Sequence, residues 1–184
     1  VAGAHVRATA TVGGNLALAA TRGLESDPAT ILAAAGAAAR VATPDGGEVE
    51  VALAALLGME EGGPPHPLAP ALGTAALITS LSIPPPPPGG ELFFTTRTAA
   101  RYSHAVADFN AGLAVGVEGG RLSSSPVVVF GAAPSEGAPW VAARAHAVEA
   151  ALAGAAVGDP AALAAALKAA RAAIPGADAF VAGL

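Results

Sequence analysis

The chain has 184 residues, a net charge of −5 and no cysteine, which excludes disulfides, thiolate metal sites and iron–sulfur ligation within it. Hydrophobic residues make up 53% of the sequence, but no uninterrupted apolar run approaches the ~20 residues that a membrane-spanning helix needs. The nine basic residues are scattered rather than clustered, so we expect no nucleic-acid partner. We also expect no membrane association and a cytoplasmic location.

The first predicted elements are mainly helical. Residues 1–10 are expected to be extended or to form a loop, and residues 12–22 to form a short helix. Ser26 is a suitable N-cap for a second helix that ends near Gly36. An aspartate and a proline follow this serine directly, and both residue types are favourable in the first turn of a helix.

A hairpin, a loop and a strand are predicted next. Residues 44–47 (PDGG) lie between segments that contain β-branched residues, which is a typical hairpin signal. The Gly- and Pro-rich residues 58–74 predict a surface loop, and residues 77–83 predict a strand. The proline run at 84–88 and the two glycines after it indicate a stiff spacer followed by a flexible one, so we place a domain boundary there.

The second half of the sequence predicts strands followed by helices. Residues 92–98 are strand-like, and residues 110–117 and 126–132 flank a Glu-Gly-Gly turn that predicts a second hairpin. Alanine-rich helices are expected at residues 141–152 and 161–173, the latter capped by an aspartate and a proline. This order of elements is typical of an α+β fold.

A Gly-Gly turn near the start of the chain is the most informative motif. Glycines adopt torsions that other residues avoid, and they let the backbone approach a ligand closely. If a helix opens at the turn, its free amides and its dipole favour an anion, most often a phosphate. The motif also fits a plain turn in which the threonine only caps the helix. It consists of Thr11, Val12, Gly13, Gly14 and Asn15.

The sequence around this turn resembles the FAD-binding region of the xanthine dehydrogenase/aldehyde oxidase family, the molybdenum-containing flavoenzymes. Arg7 precedes the turn, and Ser26-Asp27 and Gly36-Ala37 follow it in the order typical of that family. The spacing between the turn and Ser26-Asp27 looks more like the aldehyde oxidase branch. Further similarity lies at residues 92–101 (LFFTTRTAAR) and 104–112 (HAVADFNAG).

The resemblance implies an α+β fold with two parts. Residues 1–88 would be the second, C-terminal lobe of a PCMH-type FAD-binding domain. Residues 89–184 would be a truncated domain like the C-terminal domain of CO dehydrogenase flavoproteins, a small antiparallel sheet with packed helices. The first lobe of the flavin domain has no counterpart here, so the chain is expected to be a fragment that alone binds FAD weakly or not at all.

The resemblance also assigns roles to individual residues. The Thr11 hydroxyl and the amides of Val12, Gly13, Gly14 and Asn15 would hold the FAD pyrophosphate. Asp27 would accept a hydrogen bond from a hydroxyl of the ribityl or ribose chain, and Ile78 would contact the isoalloxazine. Arg97 would lie beside the flavin ring and favour its anionic reduced form. From the residues alone, Asp27 is equally a first-turn helix acid, Ile78 a core strand residue and Arg97 a solvated strand residue.

No metal site is expected in this chain, because the four histidines (His5, His66, His104 and His146) are far apart in sequence. No catalytic residue is expected either, since the resemblance places the substrate chemistry at the molybdenum site. The resemblance implies that FAD is the cofactor, with 2Fe-2S clusters and the molybdenum cofactor elsewhere in the enzyme. It further implies partner domains or subunits that carry those groups, a homodimer, and electron transfer from iron–sulfur centres through FAD to an acceptor. The alternative is a non-catalytic structural or degenerate α+β fragment that binds no cofactor.

Overall fold

The computed structural model describes residues 3–60, 66–101, 105, 107–123, 125–132 and 141–173. Helices and two antiparallel sheets alternate along these ranges, so the predicted α+β class is confirmed. All the residues predicted to contact the cofactor lie within the described ranges. His104 lies outside them.

The first part of the structure is a three-stranded sheet with small helices. Helices α1 (Ala4–Thr9), α2 (Val12–Arg22) and α3 (Asp27–Ala34) come first. Strands β1 (Ala38–Ala42), β2 (Glu48–Ala52) and β3 (Leu77–Ser82) form an antiparallel sheet in the order β2-β1-β3. Helix α4 (Leu53–Leu56) and a 3-10 turn (Ala69–Ala71) connect β2 to β3. The β1–β2 hairpin and strand β3 were both predicted.

The second part is a larger antiparallel sheet covered by two helices. Its strands are β4 (Glu91–Thr98), β5 (Phe109–Glu118), β6 (Arg121–Leu122), β7 (Val127–Ala132) and β8 (Val141–Arg144). The order is β4-β5-β7-β8, and β6 pairs with β5. Helices α5 (His146–Leu152) and α6 (Pro160–Ala173) follow. The predicted β5–β7 hairpin is confirmed, and its Gly119 and Gly120 have the positive φ that the turn requires.

Helix α3 packs against β5 and β7 as well as against helices α2 and α4. A Cβ added at Gly112 of β5 would lie 2.5 Å from the Cβ of Ala34, so glycine allows this close approach. The larger hydrophobic core surrounds Leu16, Val41, Leu53 and Leu56, and it includes Val129 of β7. A second, smaller core lies between β7, α5 and α6. The division of the chain at residues 88/89 stays a prediction.

Two predicted elements are wrong. Residues 4–9 form the short helix α1 rather than an extended segment. The segment contains alanine and arginine, which have high helix propensity. Residues 141–144 form strand β8 rather than the start of a helix, because they pair with β7, and the Arg144 amide donates a hydrogen bond to the carbonyl of Met59 (2.7 Å). Tertiary pairing overrides the helix propensity of this alanine-rich stretch.

Among the described residues, no helix is long and apolar enough to cross a membrane.

Candidate functional site

The predicted Thr11–Asn15 motif begins helix α2. Thr11 has extended torsions and is the N-cap, and its Oγ1 accepts a hydrogen bond from the Gly14 amide at 3.0 Å. The Asn15 amide donates to the Thr11 carbonyl at 3.1 Å, which closes the first turn. The expected helix start is therefore confirmed, and Thr11 does cap the helix.

The start of α2 leaves two backbone donors available. In an α-helix the first amides have no acceptor within the helix, and here the cap satisfies only that of Gly14. Within the described part of the chain, no hydrogen bond from the amides of Val12 or Gly13 is recorded. Val12 is 51% exposed, so these donors lie near solvent at the positive end of the helix dipole. Neutral donors of this kind suit an anion such as a phosphate.

The two glycines of the motif lie in ordinary helical backbone, and of the two only Gly14 is closely packed. Both glycines lie within helix α2, and neither has a positive φ. A Cβ at Gly13 would lie 3.6 Å from the Ile78 carbonyl oxygen, and a Cβ at Gly14 would lie 3.0 Å from Thr11 Oγ1. The first turn of α2 thus lies directly against Ile78 on β3, which brings two of the predicted site segments together.

Asn15 connects the start of α2 to the start of α3. The hydroxyl of Ser26 donates a hydrogen bond of 2.5 Å to Asn15 Oδ1. The same Ser26 Oγ accepts the Ala29 amide at 3.0 Å, which makes Ser26 the N-cap of α3 as predicted. Ser26 is 3% exposed, so one buried hydroxyl joins the two helix N-termini.

Asp27 and Arg97, which were predicted separately as flavin contacts, bind each other. Arg97 Nε donates to Asp27 Oδ2 at 2.9 Å, and Asn110 Nδ2 donates to Asp27 Oδ1 at 2.7 Å. The Arg97 guanidinium also donates to the carbonyl of Ala105. Asp27 is 5% exposed, so its charge is compensated inside the protein by a cation from β4 and an amide from β5. These contacts fasten α3 to the second sheet.

Glu25 lies beside this ion pair. Its Oε1 accepts the Ala107 amide at 2.7 Å. Burial raises the pKa of Glu25, and the nearby Asp27 and Asp108 charges act in the same direction. The Ala107 hydrogen bond and Arg97 oppose the rise without cancelling it. The segment between α2 and α3 therefore carries a carboxyl group that is protonated more readily than an exposed glutamate.

A second charged cluster lies at the junction of β8 and α5. Glu149, which is 7% exposed, accepts hydrogen bonds from Arg144 (2.9 Å) and from the Val128 amide (2.9 Å). His146 and Glu60 complete the cluster. Burial lowers the pKa of Arg144, but its hydrogen bond and charge interactions with Glu149 and Glu60 outweigh this effect and raise it. These contacts anchor α5 to the sheet.

A small open cleft of about 230 Å³ lies beside the α2–α3 connection. Its lining is mostly apolar and includes Leu24, Ser26, Leu57 and Met59. Among the described residues, no group of three or more histidine and carboxylate side chains could hold a metal ion.

Sequence reasoning missed three residues of this region. Asn110 and Glu25 were not singled out, and Ser26 was predicted only as a cap. A signal was present for Asn110, because it is a buried amide in the otherwise apolar strand β5. A buried polar side chain requires a hydrogen-bond partner, although the sequence does not say which residue supplies it.

The first part of the chain is similar to a known family of flavin-binding domains. Residues 1–86 match the family described as the FAD binding domain in molybdopterin dehydrogenase. FAD, the cofactor expected from the sequence, is thus confirmed as that of the matching family. No curated protein shows significant sequence similarity to the chain.

Solved structures of CO dehydrogenases share the fold. A reconstituted CO dehydrogenase from Oligotropha carboxidovorans is 23% identical, with a TM-score of 0.68 over 94% of this chain and 54% of that one. A carbon monoxide dehydrogenase from Hydrogenophaga pseudoflava that lacks the Mo-pyranopterin moiety of the molybdenum cofactor is 24% identical, with a TM-score of 0.71 over 94% of this chain and 53% of that one. The chain therefore spans about half the length of these solved chains, with the same α+β fold.

Proposed function

We propose, from the membership of residues 1–86 in the FAD-binding domain family of molybdopterin dehydrogenases, that this chain is the flavin-binding part of a molybdenum-containing oxidoreductase. FAD, when bound, supplies transfer of one or two electrons between a donor and an acceptor. The residues described here bind and orient that cofactor, and the substrate reaction takes place outside this chain.

One observation carries the proposal: the residues predicted as cofactor contacts are joined by direct contacts. Gly13 lies against Ile78, Asn15 is hydrogen-bonded to Ser26, and the neighbouring Asp27 is paired with Arg97. These residues come from α2, β3, α3 and β4, and up to 70 positions separate Asp27 from its partner. The residues predicted as cofactor contacts on these four elements therefore lie in one region of the fold, as a shared ligand requires.

The chemistry of these residues suits the separate parts of FAD. The free amides of Val12 and Gly13 are neutral donors at a helix N-terminus, which suits the diphosphate. Ile78 offers apolar surface beside them, as a flavin ring requires. Asp27 is buried and has both carboxylate oxygens occupied, so we assign it to holding Arg97 in place rather than to a sugar hydroxyl. We assign Arg97 to the ring edge, where the cation stabilises negative charge.

The proposal extends to the rest of the enzyme. Electrons would reach FAD from iron–sulfur centres on a partner domain or subunit and would pass on to an acceptor. The molybdenum cofactor would lie on another partner, and the complete enzyme would form a homodimer. The end of the family match at residue 86 supports a flavin domain over residues 1–88 and a separate domain over residues 89–184.

The substrate class distinguishes two versions of the proposal. The spacing within the flavin motif favours the aldehyde oxidase branch, and the wider family resemblance allows an aldehyde or a purine as substrate. The solved structures that share the fold are instead CO dehydrogenases. Reduction of the bound flavin by an aldehyde, a purine or CO, measured in the intact enzyme that contains this chain, separates these versions.

The test of the flavin assignment is the FAD content of that intact flavoprotein. Flavin absorbance after gel filtration should give one FAD for each copy of this chain. Absence of bound flavin, together with no binding when FAD is added, would favour the alternative of a structural module.

A further inference from the structure

Ser26 lies between the two helices of the site, where its hydroxyl has both a donor and an acceptor partner. We propose that Ser26 is a positioning residue that makes Asn15 present its amino group to the phosphates of FAD. This inference rests on the proposed flavin function. It goes beyond that function by assigning a role to Ser26, a residue that does not itself contact the cofactor.

The direction of the hydrogen bond between Ser26 and Asn15 follows from its length. The Ala29 amide donates to Ser26 Oγ at 3.0 Å, so the oxygen is an acceptor on that side. The hydroxyl proton is then available for Asn15 Oδ1, which lies 2.5 Å from Oγ. A separation of 2.5 Å lies within the range of O–H···O hydrogen bonds and below that of N–H···O bonds, so the oxygen end of the Asn15 amide faces Ser26.

The orientation of Asn15 has a chemical consequence. With Oδ1 bound to Ser26, the Nδ2 amino group faces away from it, and no acceptor for Nδ2 is recorded in the described part of the protein. Asn15 belongs to the first turn of α2, the turn that also carries the free amides of Val12 and Gly13. An amino group there adds a donor for an anion, whereas the reversed amide would present an oxygen and repel it.

Ser26 is itself held in place by the residue that follows it. Asp27 is fixed through both carboxylate oxygens, by Arg97 at 2.9 Å and by Asn110 at 2.7 Å. Asp27 and Ser26 are 5% and 3% exposed, so water does not compete for these contacts. The second sheet therefore sets the position of the α3 N-terminus, and through Ser26 it sets the orientation of Asn15.

The test is a double-mutant cycle on FAD affinity in the intact flavoprotein. Ser26→Ala should raise the Kd for FAD about tenfold, at the lower end of what loss of an orienting partner costs a bound group. Ser26→Thr, which keeps the hydroxyl, should bind as the wild type does. In an Asn15→Leu background, Ser26→Ala should have no further effect, because the residue through which it acts is gone.

A matched control separates positioning from stability. Thr30→Val removes another buried hydroxyl of the same helix, one that donates to the Ser26 carbonyl at 3.4 Å and has no contact with Asn15. It should leave the Kd unchanged even where it lowers the unfolding midpoint. Should Ser26→Ala not fold, Ser26→Gly replaces it, since glycine is tolerated at an N-cap.

The outcomes distinguish the two levels of the argument. An unchanged Kd in Ser26→Ala, or an effect equally large in the Asn15→Leu background, would overturn the role of Ser26. If Asn15→Leu and Gly14→Val, each made alone, both bind FAD with unchanged affinity, the location of the flavin site would instead be overturned.

Discussion

Substitution of Gly14 by valine tests whether the start of α2 is the phosphate site. A Cβ at this position would lie 3.0 Å from Thr11 Oγ1, so the cap must give way. Loss of an N-cap hydrogen bond costs about 1 kcal/mol, and replacing a helical glycine by valine returns a few tenths of a kcal/mol, about 0.3. The net loss, about 0.7 kcal/mol, is small against a typical stability of about 5–15 kcal/mol. Gly14→Val should therefore stay folded.

The flavin content of this variant should nevertheless fall to zero, because the new side chain occupies the first turn where the diphosphate approaches. Thr11→Ala is the matched control, since it removes the same cap without adding bulk, and it should weaken FAD binding without abolishing it. Urea denaturation verifies the stability and absorbance measures bound FAD. Gly14→Val with one FAD per chain would refute the placement of the phosphates at α2.

Three further variants test the packing and the charges around the site. Gly112→Ala should lower the free energy of unfolding by about 1–3 kcal/mol, because the new Cβ would lie 2.5 Å from that of Ala34. Urea denaturation measures this loss, and an unchanged unfolding midpoint would contradict the close packing of α3 on β5. Glu25 has a pKa raised above 4.5 when folded, so its stabilising contribution is complete at low pH and is lost as the pH rises through that raised pKa. The stability of Glu25→Gln relative to the wild type should thus increase as the pH rises above 4.5, and a pH-independent difference in the unfolding free energy would argue against this. Arg97→Ala should keep FAD but lower the reduction potential of the flavin, and it should lose about 3 kcal/mol of stability because Asp27 is left buried without its cation. Redox titration measures the potential, and denaturation measures the stability. An unchanged potential would show that Arg97 does not lie beside the flavin ring.

Local signals in the sequence were sufficient to predict helices α2 and α3 and the first hairpin. Helix α2 begins at its predicted residue because Thr11 caps it, and α3 follows Ser26 for the same reason. The first hairpin was predictable because its turn residues carry their own conformational preferences. Each of these elements depends on interactions within a few residues of chain.

Strand β8 and the contacts within the site, which sequence reasoning missed, depend on distant residues. Strand β8 is alanine-rich and looks helical, but its backbone pairs with β7, and Arg144 reaches Met59. The same limit applies to the site. Asp27 and Arg97 were identified one by one through the family resemblance, whereas their mutual ion pair and the contribution of Asn110 join positions 70 and 83 residues apart. No local pattern encodes such a pairing.

A crystal structure of the intact flavoprotein with FAD tests the central claim most directly. The account predicts diphosphate oxygens about 2.7–3.2 Å from the amide nitrogens of Val12 and Gly13, the usual hydrogen-bond range. It also predicts that the Asn15 amino group points toward the same phosphates. A bound FAD whose diphosphate makes no contact with the first turn of α2 would contradict the assignment.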